Sequence, residues 1–145
     1  MKDETNGDSS VGIRSLSLGV SAFNHCSNLC YVELPENLLR IDERLFYSCE
    51  KLVSVDIPQR TEEIGESAFE GCKSLEFIGL HNGIKIIREG CFQFWDKLKI
   101  IIIPKSIKTI PIRAFRSCIS ATSLLIQEGV TEIEKEAFTG CKKLG

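Results

Sequence analysis

The sequence predicts a repeat solenoid: short coils of chain stacked in register, with a parallel β-sheet along one face and short helical or 3₁₀ turns along another. Three observations carry this prediction. Phe23, Phe46, Phe69, Phe92, Phe115 and Phe138 follow one another at intervals of 23 residues with no insertion. Apolar residues recur at fixed distances after each Phe, and a proline closes three of the apolar segments, at Pro35, Pro58 and Pro104. A period in the twenties with fixed apolar offsets means that each repeat is one supersecondary unit, unable to bury its own apolar face and forced to stack on its neighbours.

Counted from each Phe, the third position is Cys26, Cys49, Cys72, Cys118 or Cys141, with Trp95 the exception. The step Ala-Phe-x-x-Cys has the spacing of one helical turn. The sixth position, Leu29, Leu52, Leu75, Leu98 and Leu144 with Ala121 departing, returns the chain to the next segment. The ninth position holds Val32, Val55, Ile78, Ile101 and Leu124, and the eleventh holds Leu34, Ile57, Leu80, Ile103 and Ile126. Two residues apart, they point the same way from a short strand, inward. Proline at the twelfth position lacks an N–H and ends that strand, with His81 and Gln127 departing from the pattern. The fifteenth position (Leu38, Thr61, Ile84, Ile107, Val130) and the eighteenth (Ile41, Ile64, Ile87, Ile110, Ile133) cross the second side of the coil. Stacking sets the strands about 4.8 Å apart in a parallel sheet. Residues 1–10 then read as a polar, disordered tail, and residues 11–145 as about five to six coils with the C-terminal one incomplete.

The pattern Ile-Gly-x-x-Ala-Phe-x-x-Cys-x-x-Leu-x-x-Ile-x-Leu, best preserved from Ile64 to Leu80, resembles the BspA-type leucine-rich repeat over roughly residues 16 to 144. Trp95, Ala121, Thr61 and the degenerate first coil, where Ser15 stands at an expected apolar position, depart from it. The resemblance implies a right-handed, curved leucine-rich-repeat solenoid. It also implies a surface or secreted role in binding and adhesion, with extracellular-matrix or host proteins as partners. No residue-level function follows from it, because the shared motif consists of core positions.

Composition narrows the function classes independently. With 18 basic and 20 acidic residues the net charge is −2, and no Lys/Arg run supplies the electrostatic footprint of a nucleic-acid surface. The longest apolar run, Ile100 to Ile103, is far short of the roughly 18 residues of a membrane helix, so no membrane insertion is expected. The acidic start, Met1 to Ser10, has no apolar segment of a secretory signal. Compartment stays open: the resemblance points to the cell surface, whereas a complete chain without a signal would be cytoplasmic.

The cysteines form a column inside the coil rather than a site. Metal binding needs thiolates converging on one point, and a parallel ladder does not converge. Parallel Cβ vectors also disfavour disulfides, leaving a small buried side chain chosen for fit as the expected role. Cys91, in place of the Ala before Phe92, is expected to be buried, and Cys30 to be the most exposed thiol. The two histidines, His25 on a turn and His81 in place of a strand-ending proline, have no nucleophile and carboxylate at matching offsets. No catalytic residue, metal ligand or cofactor is therefore assigned.

Function is sought instead on the columns that the fold leaves outside. The eighth and tenth positions alternate with the inward ones and face outward from the strands. They read Tyr31, Ser54, Phe77, Ile100, Ser123 and Glu33, Asp56, Gly79, Ile102, Leu125. Phe77, Ile100, Ile102 and Leu125 make an apolar patch beside an acidic end at Glu33 and Asp56, with Tyr31 next to it. Patches of this kind mark partner sites, so these seven residues are the candidate protein-binding surface. Phe94 and Trp95 are a second candidate: Trp in a close-packed Cys column forces a local shift, which either displaces its ring partly toward solvent or is taken up by packing around Cys91. The alternative is a structural spacer within a larger surface protein. At the C-terminus, the repeat stopping at Leu144 and Gly145 leaves an uncapped edge, expected either to continue in a longer array or to self-associate.

Overall fold

The chain passes along three sides in each repeat, two of them extended and one made of turns, in a computed structural model that describes residues 10–12 and 20–145 and side chains from residue 20 onward. Residues 1–9 of the expected tail, and Ser15, lie outside the described residues; Ser10 opens the first strand. The described residues form nine short strands: β1 (Ser10–Gly12), β2 (Tyr31–Glu33), β3 (Arg40–Ile41), β4 (Glu63–Ile64), β5 (Ile86–Ile87), β6 (Ile100–Ile103), β7 (Thr109–Ile110), β8 (Ser123–Ile126) and β9 (Glu132–Ile133). Every pairing is parallel: β1 with β2, β3 with β4 and β4 with β5, β6 with β8, and β7 with β9. Apart from β1 and β2, where Ser10 faces Tyr31, partners are one full period apart, as Ile101 and Leu124 are.

Between the sides lies the core. Phe23, Phe46, Phe69, Phe92, Phe115 and Phe138 stack ring on ring, with successive centroids 5.6, 5.2, 6.1, 5.1 and 5.6 Å apart. Around this spine are the buried Leu29, Leu52, Leu75 and Leu98 and the eighteenth-position Ile41, Ile64, Ile87 and Ile110, whereas Leu124 and Ile133, expected to point inward, are 37% and 53% exposed because no further coil among the described residues stacks on them. The cysteine column has a polar role that its spacing does not announce. The thiol of Cys49 donates to the carbonyl of Phe23 in the preceding coil at 3.1 Å, and Cys72, Cys118 and Cys141 repeat this to Phe46, Phe92 and Phe115 at 3.2, 3.3 and 3.0 Å. Cys is thus both a small apolar filler and a weak donor. Thr61, polar at an apolar position, is fully buried and donates its hydroxyl to the carbonyl of Leu38 at 2.7 Å, which removes the cost of an unpaired buried group.

Two expectations are corrected. The Phe-containing side holds turns and no helix among the described residues. The N–H groups there alternate: Leu45, Tyr47 and Cys49 donate three residues back along the chain, while Arg44, Phe46 and Ser48 donate across to the carbonyls of Glu66, Ala68 and Glu70 in the next coil. A helix needs every N–H directed along its own axis. It is also broken by left-handed backbone at two positions per coil, such as Arg44 (φ 53°) and Ser48 (φ 55°), or Ser67 (φ 49°) and Gly71 (φ 73°).

The strand face, second, is not one continuous sheet. It consists of β1 with β2, a single bridge from Tyr31 to Ser54, and β6 with β8, whereas residues 77–80 form no strand. The proline column explains much of this. Gln127 donates its N–H to the carbonyl of Ile103 at 3.0 Å and extends the pairing of β6 and β8, but Pro58 and Pro104 at the same offset have no proton to donate. Gly79 further weakens the segment, offering no side chain to pack across strands.

Because the rings support one another across coils, Phe92→Ala should lower the unfolding free energy by about 3–5 kcal/mol. The exposed Phe77→Ala should cost less than about 1 kcal/mol. Equilibrium urea unfolding of both variants checks the contrast, and equal losses would refute the stacked spine as the main support.

Candidate functional site

The outward columns stand where β-alternation puts them. Tyr31, Phe77, Ile100 and Leu125 are 52%, 58%, 49% and 55% exposed, and Glu33 and Asp56 are exposed as well. Ile102 is only half-buried, pressed beside Leu125 in the register of β6 and β8, and contributes less surface than its neighbours. Ile100, Ile102 and Leu125 lie together on the paired strands β6 and β8, whereas Phe77 belongs to a segment that forms no strand and pairs with neither neighbour.

At the acidic end the face is concave. A depression of about 750 Å³ is lined by Glu33, Glu36, Asn37, Asp56, Pro58 and Arg60. Glu36 and Arg60 were not anticipated; their signal is their place just after Pro35 and Pro58, where the chain leaves the strand. Arg60 donates to the side-chain oxygen of Asn37 at 3.2 Å. Among the described residues Glu33, Glu36 and Asp56 enter no ion pair. Elsewhere Arg88 meets Glu63 at 2.8 Å, Lys73 meets Glu50 at 2.8 Å and Arg113 meets Glu136 at 3.2 Å, each across a coil boundary, while Glu66, Asp96 and Glu132 likewise enter no ion pair among the described residues. On Glu136 the Arg113 guanidinium holds the carboxyl below its usual range.

Phe94 and Trp95 separate. Phe94 is 38% exposed at φ 63°, with the Arg116 guanidinium carbon 6.0 Å from its ring centre. Trp95 is completely buried, so the larger side chain is taken up by packing and not by displacement of its ring toward solvent. It packs edge-on against Phe69 and Phe92, with centroids 6.3 and 5.6 Å away, and its indole N–H donates to the carbonyl of Phe69 at 2.7 Å. That carbonyl is the one a thiol would have reached, so Trp95 keeps the hydrogen bond of the column while enlarging the side chain. It is a core residue, not a docking one.

His81 replaces a proline and ties two coils. Its Nε2 lies 2.9 Å from the carbonyl of Pro58, and its Nδ1 accepts the N–H of Gly83 at 3.1 Å. A carbonyl can only accept, so the neutral tautomer with the proton on Nε2 satisfies both contacts. His25 is exposed and edge-on to Tyr47. Among the described residues no group of three or more His, Cys, Asp or Glu is placed to hold a metal ion, and no helix is long and apolar enough to cross a membrane.

The thiols follow their burial. Cys49, Cys72, Cys91 and Cys118 are fully buried, whereas Cys26 and Cys30 are half-buried. Burial, reinforced by neighbouring Cys49, pushes the Cys72 thiol well above its ordinary range, and burial lifts Cys91 to about 12. Contact between the Cys118 and Cys141 thiols raises the former and lowers the latter to about 7.

The chain belongs to the BspA type Leucine rich repeat region family, whose model matches six copies over residues 16–145. It is similar to the crystal structure of the T. pallidum Leucine Rich Repeat protein, with 28% identity, a TM-score of 0.80, and coverage of 86% of this chain and 58% of that one. It is also similar to a leucine rich cell surface protein from Faecalibacterium prausnitzii A2-165, with 27% identity, a TM-score of 0.70, and coverage of 91% and 34%. The chain thus spans little more than half of the first neighbour and about a third of the second. No curated protein matches it.

Two outcomes follow for the thiols. Under native conditions at neutral pH, iodoacetamide should modify Cys30 and Cys26 well before Cys49, Cys72 or Cys91, read by peptide mass spectrometry. Because the folded Cys91 thiol ionises near 12 rather than 9.0, its contribution to stability is complete below pH 9 and is lost as pH rises toward 12, where only the unfolded chain readily releases the proton. Urea midpoints should fall across that window, and Cys91→Ala should flatten the fall.

Proposed function

We propose that this BspA-type leucine-rich-repeat chain is a non-catalytic protein-binding module that engages its partner through the strand face. One observation carries the reading: Phe77, Ile100 and Leu125, about half exposed or more, lie on a face where no other part of the described chain covers them. Placing large apolar side chains in water is unfavourable in the absence of a partner, and contiguous exposed apolar surface is a feature of interaction sites. In this reading the coils form a right-handed, curved solenoid. Phe77, Ile100, Leu125 and Tyr31 anchor the partner; Glu33 and Asp56 set its orientation, and Phe94 lies outside the contact. Extracellular-matrix or host proteins are the partner class it favours, in keeping with the description of the F. prausnitzii neighbour as a cell surface protein.

A second reading is a spacer segment without a ligand of its own. It is favoured by the neighbours' greater length, since this chain covers 58% and 34% of them.

Surface plasmon resonance against a panel of purified extracellular-matrix proteins separates the two. Saturable binding to a member of the panel is expected, with the double variant Phe77→Lys and Leu125→Lys weakening it about thirtyfold or more, as loss of a 2 kcal/mol hot spot would. Both positions are exposed, so the melting temperature should hardly move. Absence of binding across the panel favours the spacer, and undiminished binding by the variant removes the strand face as the site.

A further inference from the structure

One boundary between coils is built differently from the rest. Residues 76–87 belong to one coil and residues 99–110 to the next, and among the described residues no hydrogen bond or ion pair joins these two stretches. The flanking boundaries are tied. Residues 53–64 and 76–87 are joined by β4 with β5, by His81 to Pro58, and by Lys85 to Glu62 at 2.9 Å. Residues 99–110 and 122–133 are joined by β6 with β8 and by β7 with β9.

Part of the cause is visible in the sequence. On the second side, Gly65, Arg88 and Glu134 donate their N–H groups to the carbonyls of Ile41, Ile64 and Ile110 at 2.7, 3.0 and 2.9 Å. The residue at that offset facing Ile87 is Pro111, which has no proton to give. On the strand side, the residue facing Leu80 at the offset of Gln127 is Pro104, with the same deficiency. Both extended sides therefore lack a donor at the same boundary.

Two further observations coincide with this gap. The Phe69 and Phe92 rings, which span the boundary, are 6.1 Å apart, the widest step in the described spine, with Trp95 packed against both. A depression of about 570 Å³ opens on the second side, lined by Lys85, Ile86, Ile87, Lys108, Thr109 and Pro111 among others.

The turn side, by contrast, is intact. Ser67, Phe69 and Gly71 donate their N–H groups to the carbonyls of Glu89, Cys91 and Gln93 at 2.9, 3.0 and 3.0 Å, and the Gln93 side chain meets Glu70 at 2.8 Å.

We propose that this boundary is a hinge: the two halves of the array pivot about the hydrogen-bonded turn side, opening and closing between residues 76–87 and 99–110. Packed elements that pivot about a retained set of contacts move on the microsecond-to-millisecond scale. Phe77 rides on one half and Ile100 and Leu125 on the other, so the motion changes the spacing of apolar groups along the strand face. The hinge itself does not depend on the strand face having a partner.

Relaxation dispersion of backbone ¹⁵N in the whole chain tests it. Exchange contributions are expected at Leu80, Ile87, Lys99, Ile101, Lys108 and Ile110, and not at Ser67, Phe69 or Gly71. Flat profiles at the first group, or equal exchange at every coil boundary, would overturn the hinge. Pro111→Ala supplies the missing N–H opposite Ile87 and should reduce the exchange contribution severalfold; unchanged exchange in a folded variant would overturn the assigned cause. If that variant does not fold, the wild-type profile alone decides between hinge and rigid stack.

Discussion

The structure depends on a constraint of register: a coil of 23 residues must return each side chain to a place directly above its counterpart, one strand spacing away. Parallel strands lie about 4.8 Å apart. Rings stacked flat on one another can occupy that spacing with little gap, and the Phe spine does so at 5.1 to 6.1 Å. Any insertion would shift a ring off the column and expose the core above and below it. This explains why the six Phe recur without a gap while surface positions vary freely. The same register brings each Phe carbonyl under the third-position side chain of the next coil, so the spine is both packed and hydrogen-bonded.

The spine, most inward positions up to Ile110 and most of the outward columns were legible in the sequence because they depend on side-chain character at a fixed offset, whereas Leu124 and Ile133 are exposed on the last described coil. Phe23 through Phe138, Ile41 through Ile110, and the exposed Tyr31, Phe77 and Leu125 all obey that logic. What escaped were features that depend on the backbone. The thiol bonds of Cys49 and Cys72 end on main-chain carbonyls, which carry no letter in a sequence. The helical turn read from Ala-Phe-x-x-Cys failed for a related reason: three-residue spacing fits a helix and also fits a turn whose N–H groups alternate between neighbouring coils. Arg44, Ser48 and Ser67 in the left-handed region decide for the turn, and none is a residue type that announces it. Of the candidate surface, Ile102 is half-buried, less exposed than alternation alone predicts.

The surface shows how the two kinds of position divide the work. Charged side chains on the second and turn sides are joined across coils, as Arg88 is to Glu63 and Lys73 is to Glu50. Exposed pairs of this sort each contribute little, about 0–1 kcal/mol, but repeated along a stack they favour one register over its neighbours. Glu33, Glu36 and Asp56 on the strand face have no such pairing among the described residues, and neither do Glu66, Asp96 and Glu132 on the other sides.

The departures from the repeat are informative together. Thr61 at an apolar position donates to Leu38, His81 at a proline position to Pro58, Trp95 at a cysteine position to Phe69, and Gln127 at a proline position, through its N–H, to Ile103. In all four, a residue that breaks the pattern donates a hydrogen bond to the backbone of the coil before it. Random drift in a degenerate repeat would leave buried donors and carbonyls unpaired at some of these places, at a cost of about 1–3 kcal/mol each. Their consistency means that the pattern records only one way of tying coil to coil. These four positions preserve the tie by other means, whereas Ala121 donates only within its own coil, and Pro104 and Pro111, which keep no N–H, lie at the boundary where both extended sides lack a donor.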